Sequence, residues 1–156
     1  MNKKSFFITV IVIILAVFIL SLLFILNLKK QNDISFLENL YTQRLEAMDR
    51  GDVEKFNSLT SQRILQTQRE YLKQNPEIIL SDYLKKQYEI SKNPVLEKLK
   101  LINYELTEST ATLEYKGSEP NEAVEGGILY IRLVISFVKE ESGWKIDEDS
   151  AHYGDD

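Results

Sequence analysis

From Phe6 to Leu28 the chain reads "FFITVIVIILAVFILSLLFILNL", with no charge and three polar side chains, Thr9, Ser21 and Asn27. At about 1.5 Å per residue, a helix over this stretch is roughly 34 Å long, enough to cross a hydrocarbon core of about 30 Å. It is apolar all round, whereas a helix lying on a soluble core keeps a polar face. The pattern predicts a transmembrane helix over residues 6–28. A cleaved signal sequence has an apolar centre of about 7–15 residues and ends at a small-x-small site. This run is longer and closes on "LFILNLKK", so a retained anchor is expected.

Past the polar "QND", read as a short hinge, the pattern turns helical. Ile34, Leu37, Tyr41, Leu45 and Met48 recur at spacings of three and four, and Phe36 and Leu40 widen the stripe. Gly51 stops this helix and Asp52 is placed to cap the next, a short one that puts Val53, Phe56 and Leu59 on one face. Residues 63–91 keep a helical period, broken at Asn75-Pro76, with Ser81 or Asp82 in position to cap the later piece. Asn93-Pro94 ends the helical half.

The period then drops to two. "VLEKLKLINYELTE" is strand-like, and its inward parity switches near Leu101-Ile102, which predicts a bulge. In "TATLEYKG", Ala111, Leu113 and Tyr115 share a face. After a polar loop over 119–127, Leu129, Ile131, Leu133, Ile135 and Phe137 line one side of a long strand. "EESG" makes a turn, and Trp144 and Ile146 face inward on a last strand. Helices first and about four antiparallel strands afterwards is an α+β order, with helices packed on one face of a curved sheet.

Charge narrows the partners. Lys3 and Lys4 precede the span and Lys29 and Lys30 follow it, so the positive-inside count is nearly balanced. A short tail before a single span favours an N-terminus in the cytoplasm and a C-terminal domain outside the cell membrane. Beyond residue 30 there are 15 basic and 24 acidic side chains, a net −9. That balance disfavours nucleic acid and anionic lipid headgroups, which need a positive surface. The absence of cysteine excludes disulfides, thiol catalysis, cysteine-based zinc sites and a lipoprotein-type attachment.

Two stretches resemble the nuclear transport factor 2-like (cystatin-like α+β) superfamily. "AMDRGDVEKFNSL" is similar to the helix–turn–helix near the start of many such domains, through Gly51, Asp52 and Phe56. "ISFVKEESGWKID" resembles their closing hairpin, through Trp144 and Ile146. The resemblance covers roughly residues 33–153. It implies a cone with a pocket between helices and sheet, a frame shared by polyketide cyclases, ketosteroid isomerases and many non-enzymatic binding modules. A short tail, one span and an external domain of this kind also resemble inner-membrane assembly components of type IV secretion systems.

Candidate chemistry is sparse. His152 is the one histidine, three residues beyond Asp149 and near a terminus, and is expected to be exposed or to cap the last strand. Asp147, Glu148, Asp149, Asp155 and Asp156 lack the spacing of a calcium loop and read as a solvated acidic end. Tyr104, Tyr115 and Tyr130 lie on strands. Tyr130 and Arg132 share a face opposite Leu129 and Ile131, and with Tyr115 they are the candidate ligand-binding residues if their faces line a pocket. Phosphate-binding glycine loops, a nucleophile elbow and zinc-helix motifs are absent from the sequence, as is the early glutamate of a pilin anchor. No catalytic residue, metal or cofactor is assigned.

The expected layout is a tail over 1–5, a span over 6–28, a hinge over 29–33, an extracytoplasmic domain over 34–153 and an acidic tail over 154–156. The expected function is a membrane-anchored, non-enzymatic module that binds the bilayer through residues 6–28 and a protein partner in the envelope. A small-ligand-binding domain with an apolar pocket is the alternative, and an isomerase- or cyclase-like enzyme a more distant one.

Overall fold

The computed structural model describes residues 3–91, 96–121 and 127–154. The chain divides into two compact units, Met1–Phe36 and Leu37–Asp156. The first helix, α1 (Lys3–Arg50), contributes to both.

In the first unit the residues from Ile11 to Leu28 are exposed without exception and apolar on every side. One long apolar helix near the N-terminus is thus available to span a membrane. The helix continues through residues 29–33. Lys29, Lys30 and Gln31 are good helix formers, and neither glycine nor proline stands among residues 29–33.

In the second unit the C-terminal part of α1 buries Leu37, Tyr41, Arg44, Ala47 and Met48. This stripe is rotated slightly from the expected one: Leu45 is only partly buried, Phe36 is exposed, and an arginine takes a core position. Gly51 ends the helix at φ +66, a conformation glycine adopts without the strain of a Cβ. The Asp52 carboxylate then accepts from the Lys55 N–H and caps α2 (Val53–Leu59), whose Phe56 and Leu59 are buried. Ser61 caps α3 (Gln62–Gln74) in the same way. The last helix, α4 (Leu80–Ser91), starts one residue before the expected caps, so Ser81 and Asp82 lie inside its first turn. Asn93-Pro94 lies outside the described residues.

A short 3-10 turn, Leu96–Lys98, leads into β1 (Lys100–Leu106), followed by β2 (Thr110–Pro120), β3 (Ile128–Glu140) and β4 (Gly143–Gly154). The four strands form an open antiparallel meander in the order β1-β2-β3-β4. The fold class is α+β. The β1 bulge falls between Leu101 and Asn103, as the parity switch predicts. Alternation along β2 and β3 buries Ala111, Leu113, Tyr115, Ile131, Leu133, Ile135 and Phe137, while Leu129 is only partly covered. These residues face the helices, and the opposite face of the sheet stays largely exposed.

The closing strand departs most from expectation. Ile146 is buried opposite Phe137, but Trp144 is only partly buried, with the Lys139 ammonium 5.8 Å above its ring. A second bulge, between Ser136 and Phe137 on β3, gives β4 an extra residue at Asp147. Ile146 and Asp149 therefore both lie on the helix-facing side, where strict alternation would have put Glu148. The strand runs on to Gly154, and His152 is an exposed residue paired with Arg132 on it. Asp155 and Asp156 lie outside the described residues.

Candidate functional site

The register of the sheet aligns four basic side chains. Lys100 pairs with Lys116, Lys116 with Arg132, and Arg132 with His152, so one residue from each strand stands in a single row across the sheet. All four are exposed and lie on the face turned away from the helices. Spacing between neighbouring strands is about 4.8 Å, so the row extends roughly 14 Å. On either side of Lys116 along β2, Glu114 and Ser118 share this face. The Arg132 Nε donates to Glu114 at 2.7 Å, a diagonal cross-strand contact. Among the described residues Arg132 is the member of the row that forms an ion pair.

An open groove of about 560 Å³ runs over this row. Tyr130 and Ile102 border the basic row and contribute apolar surface that is largely exposed. Ile102 reaches this face because of the β1 bulge. Of the three expected ligand-binding residues, the structure brings Tyr130 and Arg132 together here. It separates Tyr115, whose ring is buried on the opposite face and whose hydroxyl donates to Glu38 at 2.7 Å. Burial, then the Glu38 hydrogen bond and charge, push the Tyr115 phenol well above its ordinary range. Lys100, Lys116 and His152 join Arg132 only through the pairing of the strands. Once hairpin registers are assigned, basic residues at 100, 116, 132 and 152 become neighbours.

On the helix side a second hollow of about 370 Å³ is lined by all four helices and β4 within the same unit. Its floor is an ion pair between Arg44 and Asp149 at 2.7 Å, both side chains largely shielded from water. The Arg44 guanidinium also lies 5.2 Å from the centre of the Phe56 ring, while its Nε is buried and has no hydrogen-bond partner among the described residues. Tyr71 and Tyr83 meet at the rim with ring centres 5.6 Å apart. Burial, then the Asp149 charge, push the Tyr41 phenol above its usual range against the opposing Arg44 charge.

The acidic residues of the closing strand are not a solvated end. Asp147 accepts from Ser61 Oγ at 2.6 Å and from Arg63 Nε at 3.1 Å, Asp149 holds Arg44, and Glu148 lies 3.8 Å from Arg63. Each carboxylate is directed to a cation on a helix, which ties β4 to the helical layer. Burial raises the Asp147 pKa, but the hydrogen bonds from Arg63 and Ser61 outweigh it and hold the carboxyl below its ordinary value.

No family model matches this chain, and no curated protein matches it either. The functional reading consequently rests on the two faces of the sheet.

Proposed function

We propose that the chain is a membrane-anchored, non-enzymatic module that binds a partner protein through the uncovered face of its sheet. The anchor is the apolar helix, with the N-terminus in the cytoplasm and residues 37–156 outside. The domain is proposed to be a member of the nuclear transport factor 2-like group, with its helices and sheet forming that group's cone. Element order, the Gly51-Asp52 turn and the closing hairpin support this assignment. An envelope or secretion complex is the proposed setting.

One observation carries the binding proposal: the cross-strand row Lys100–Lys116–Arg132–His152 lies in an open groove bordered by exposed aromatic and aliphatic surface. A solvated sheet face needs no such alignment. Like charges placed side by side on adjacent strands repel one another, so the row costs stability unless a ligand neutralises it. A photo-crosslinking amino acid at Tyr130 in intact membranes tests the reading, with Arg69 on α3 as the control site. A discrete adduct at Tyr130 and none at Arg69 is expected; equal labelling at both positions overturns it. Orientation is testable separately, because the chain has no native cysteine. Ser118→Cys should react with an impermeant maleimide in intact cells.

A second reading, a small-ligand-binding domain, is favoured by the helix-side hollow and the unpartnered Arg44 Nε on its floor. A ligand with a carboxylate or carbonyl oxygen would satisfy that donor. An isomerase- or cyclase-like enzyme has less support, since the one carboxylate on that floor, Asp149, is already engaged by Arg44.

A further inference from the structure

We propose that the outer groove takes an extended acidic segment of a partner protein, with carboxylates at alternate positions. This inference rests on the reading above that the uncovered sheet face is the binding surface, and it adds the chemistry of what binds there.

Spacing supplies the first argument. The four basic residues, three of them cations, stand at inter-strand intervals and extend roughly 14 Å. In an extended peptide, side chains on one face recur about every 6.8 Å, so three alternate carboxylates cover about 14 Å. A peptide lying across the strands, parallel to the row, thus presents three anions over the reach of Lys100, Lys116, Arg132 and His152. The long arms of lysine and arginine absorb the small mismatch. A helical segment would place successive same-face carboxylates on a staggered stripe and match a straight row less well.

Charge balance supplies the second. Two cations of the row, Lys100 and Lys116, are not ion-paired among the described residues, and Arg132 shares its charge with Glu114. The rest of the domain is acidic, at a net −9 beyond residue 30. A long uniform polyanion would overrun the row into that negative surround, where Glu105 and Glu114 stand on the same face of β1 and β2. A short acidic stretch ends where the favourable potential ends.

The apolar border supplies the third. Tyr130 and Ile102 flank the cations, and exposed Ile128 lies near the end of β3. They offer packing surface to the aliphatic residues of a peptide. A bare inorganic or phosphodiester anion has no use for it.

The test uses the full chain in nanodiscs and a fluorescent nonapeptide carrying three aspartates at alternate positions between valines and threonines. Two control peptides carry asparagine in place of aspartate, or the three aspartates in one contiguous block. Saturable binding of the alternating peptide is expected, with weaker binding of the block and none of the asparagine version. The double variant Lys100→Glu/Lys116→Glu should lower affinity by about tenfold, the combined effect of two exposed charges removed and reversed. Lys100→Gln/Lys116→Gln, a milder change at exposed positions, should lower it by less. Equal binding of the asparagine peptide, or affinity unmoved by both variants, overturns the proposal. Polyphosphate binding in place of the peptide also overturns it, in favour of a phosphate polymer. If Tyr130 crosslinks a partner in membranes while the peptide fails to bind, the docking face stands and its acidic specificity falls; if both fail, the docking face falls too.

Discussion

Arg44 and Asp149 are 105 positions apart in the chain and 2.7 Å apart in the fold. Their contact joins the first helix of the domain to its last strand. Both side chains are largely withdrawn from water, and the Arg44 guanidinium lies close to the Phe56 ring. Removing one charge would strand the other on the floor of the hollow. Arg44→Met should therefore destabilise the domain by roughly 2–4 kcal/mol. Adding Asp149→Leu should restore much of that loss, because a matched apolar pair removes the unpaired charge. Urea unfolding of the full chain in micelles, followed by the fluorescence of Trp144, measures both steps.

Tyr41 and Tyr115 predict an alkaline limit. Burial, together with a neighbouring carboxylate, raises both phenols above the ordinary 10.0. A folded value above the unfolded one means that the neutral form is favoured by folding. The stability associated with each tyrosine is then complete below pH 10 and is lost as pH rises from there toward the folded value. In an alkaline titration two of the eight tyrosines should stay silent in tyrosinate absorbance until the circular dichroism signal collapses. Tyr115→Phe should leave one silent tyrosine. Smooth ionisation of every tyrosine before unfolding would contradict the burial argument.

Asp147 acts at the other end of the pH scale. Its folded value lies below the ordinary 3.8, because the hydrogen bonds from Arg63 and Ser61 overcome the effect of burial. Its contribution is present above pH 3.8 and disappears as pH falls through the lower, folded value. Asp147→Asn should flatten the acid limb of the stability profile and leave the neutral region least changed in shape. An acid limb identical to that of the parent chain would assign acid sensitivity to other carboxylates.

Hydropathy and turn chemistry made the architecture legible. The apolar run, the Gly51-Asp52 break, the β1 bulge and the inward faces of β2 and β3 can all be read from period and residue type. The site was harder to read, for two physical reasons. The bulge opposite Ser136 and Phe137 shifts the parity of β4, and only that shift turns Asp149 toward Arg44. The basic row exists only through pairing: its members lie 16, 16 and 20 positions apart, so no local window contains two of them. Arg44 was hidden differently, since a charged residue on a helical stripe reads as a solvated position until its partner is known.

Gly51 tests the turn. Its φ of +66 is unfavourable for a residue with a Cβ, and an added Cβ would lie 2.9 Å from the Lys85 Cε and 3.1 Å from the Ser81 carbonyl oxygen. The lysine can move, but the backbone carbonyl of α4 cannot move without shifting the helix. Gly51→Ala should cost about 1–2 kcal/mol from the left-handed conformation alone, and the carbonyl contact adds to it. Asp52→Ala, which removes only the cap, should cost about 1 kcal/mol. A larger loss for Asp52→Ala than for Gly51→Ala would show that the turn tolerates a side chain and that the cap dominates.

The apolar helix makes the most direct prediction about location. If residues 6–28 span a bilayer, a charge near their centre must cross or sit in hydrocarbon. One arginine at Val17 should reduce insertion by about 2.5–3.5 kcal/mol, and a second at Leu20 should add a comparable amount. With a 23-residue uncharged stretch, the single variant can still insert by sliding or tilting, so a partial effect is expected. Val17→Arg/Leu20→Arg has less escape, because one charge sits at the centre and the second nearly a full turn beyond it. In carbonate-washed membranes the parent chain should remain in the pellet, the single variant should divide, and the double variant should be extracted. A parent chain released by carbonate would mean that the helix serves as something other than a span. Extraction of the double variant with its circular dichroism otherwise unchanged would separate loss of the anchor from loss of the domain's fold.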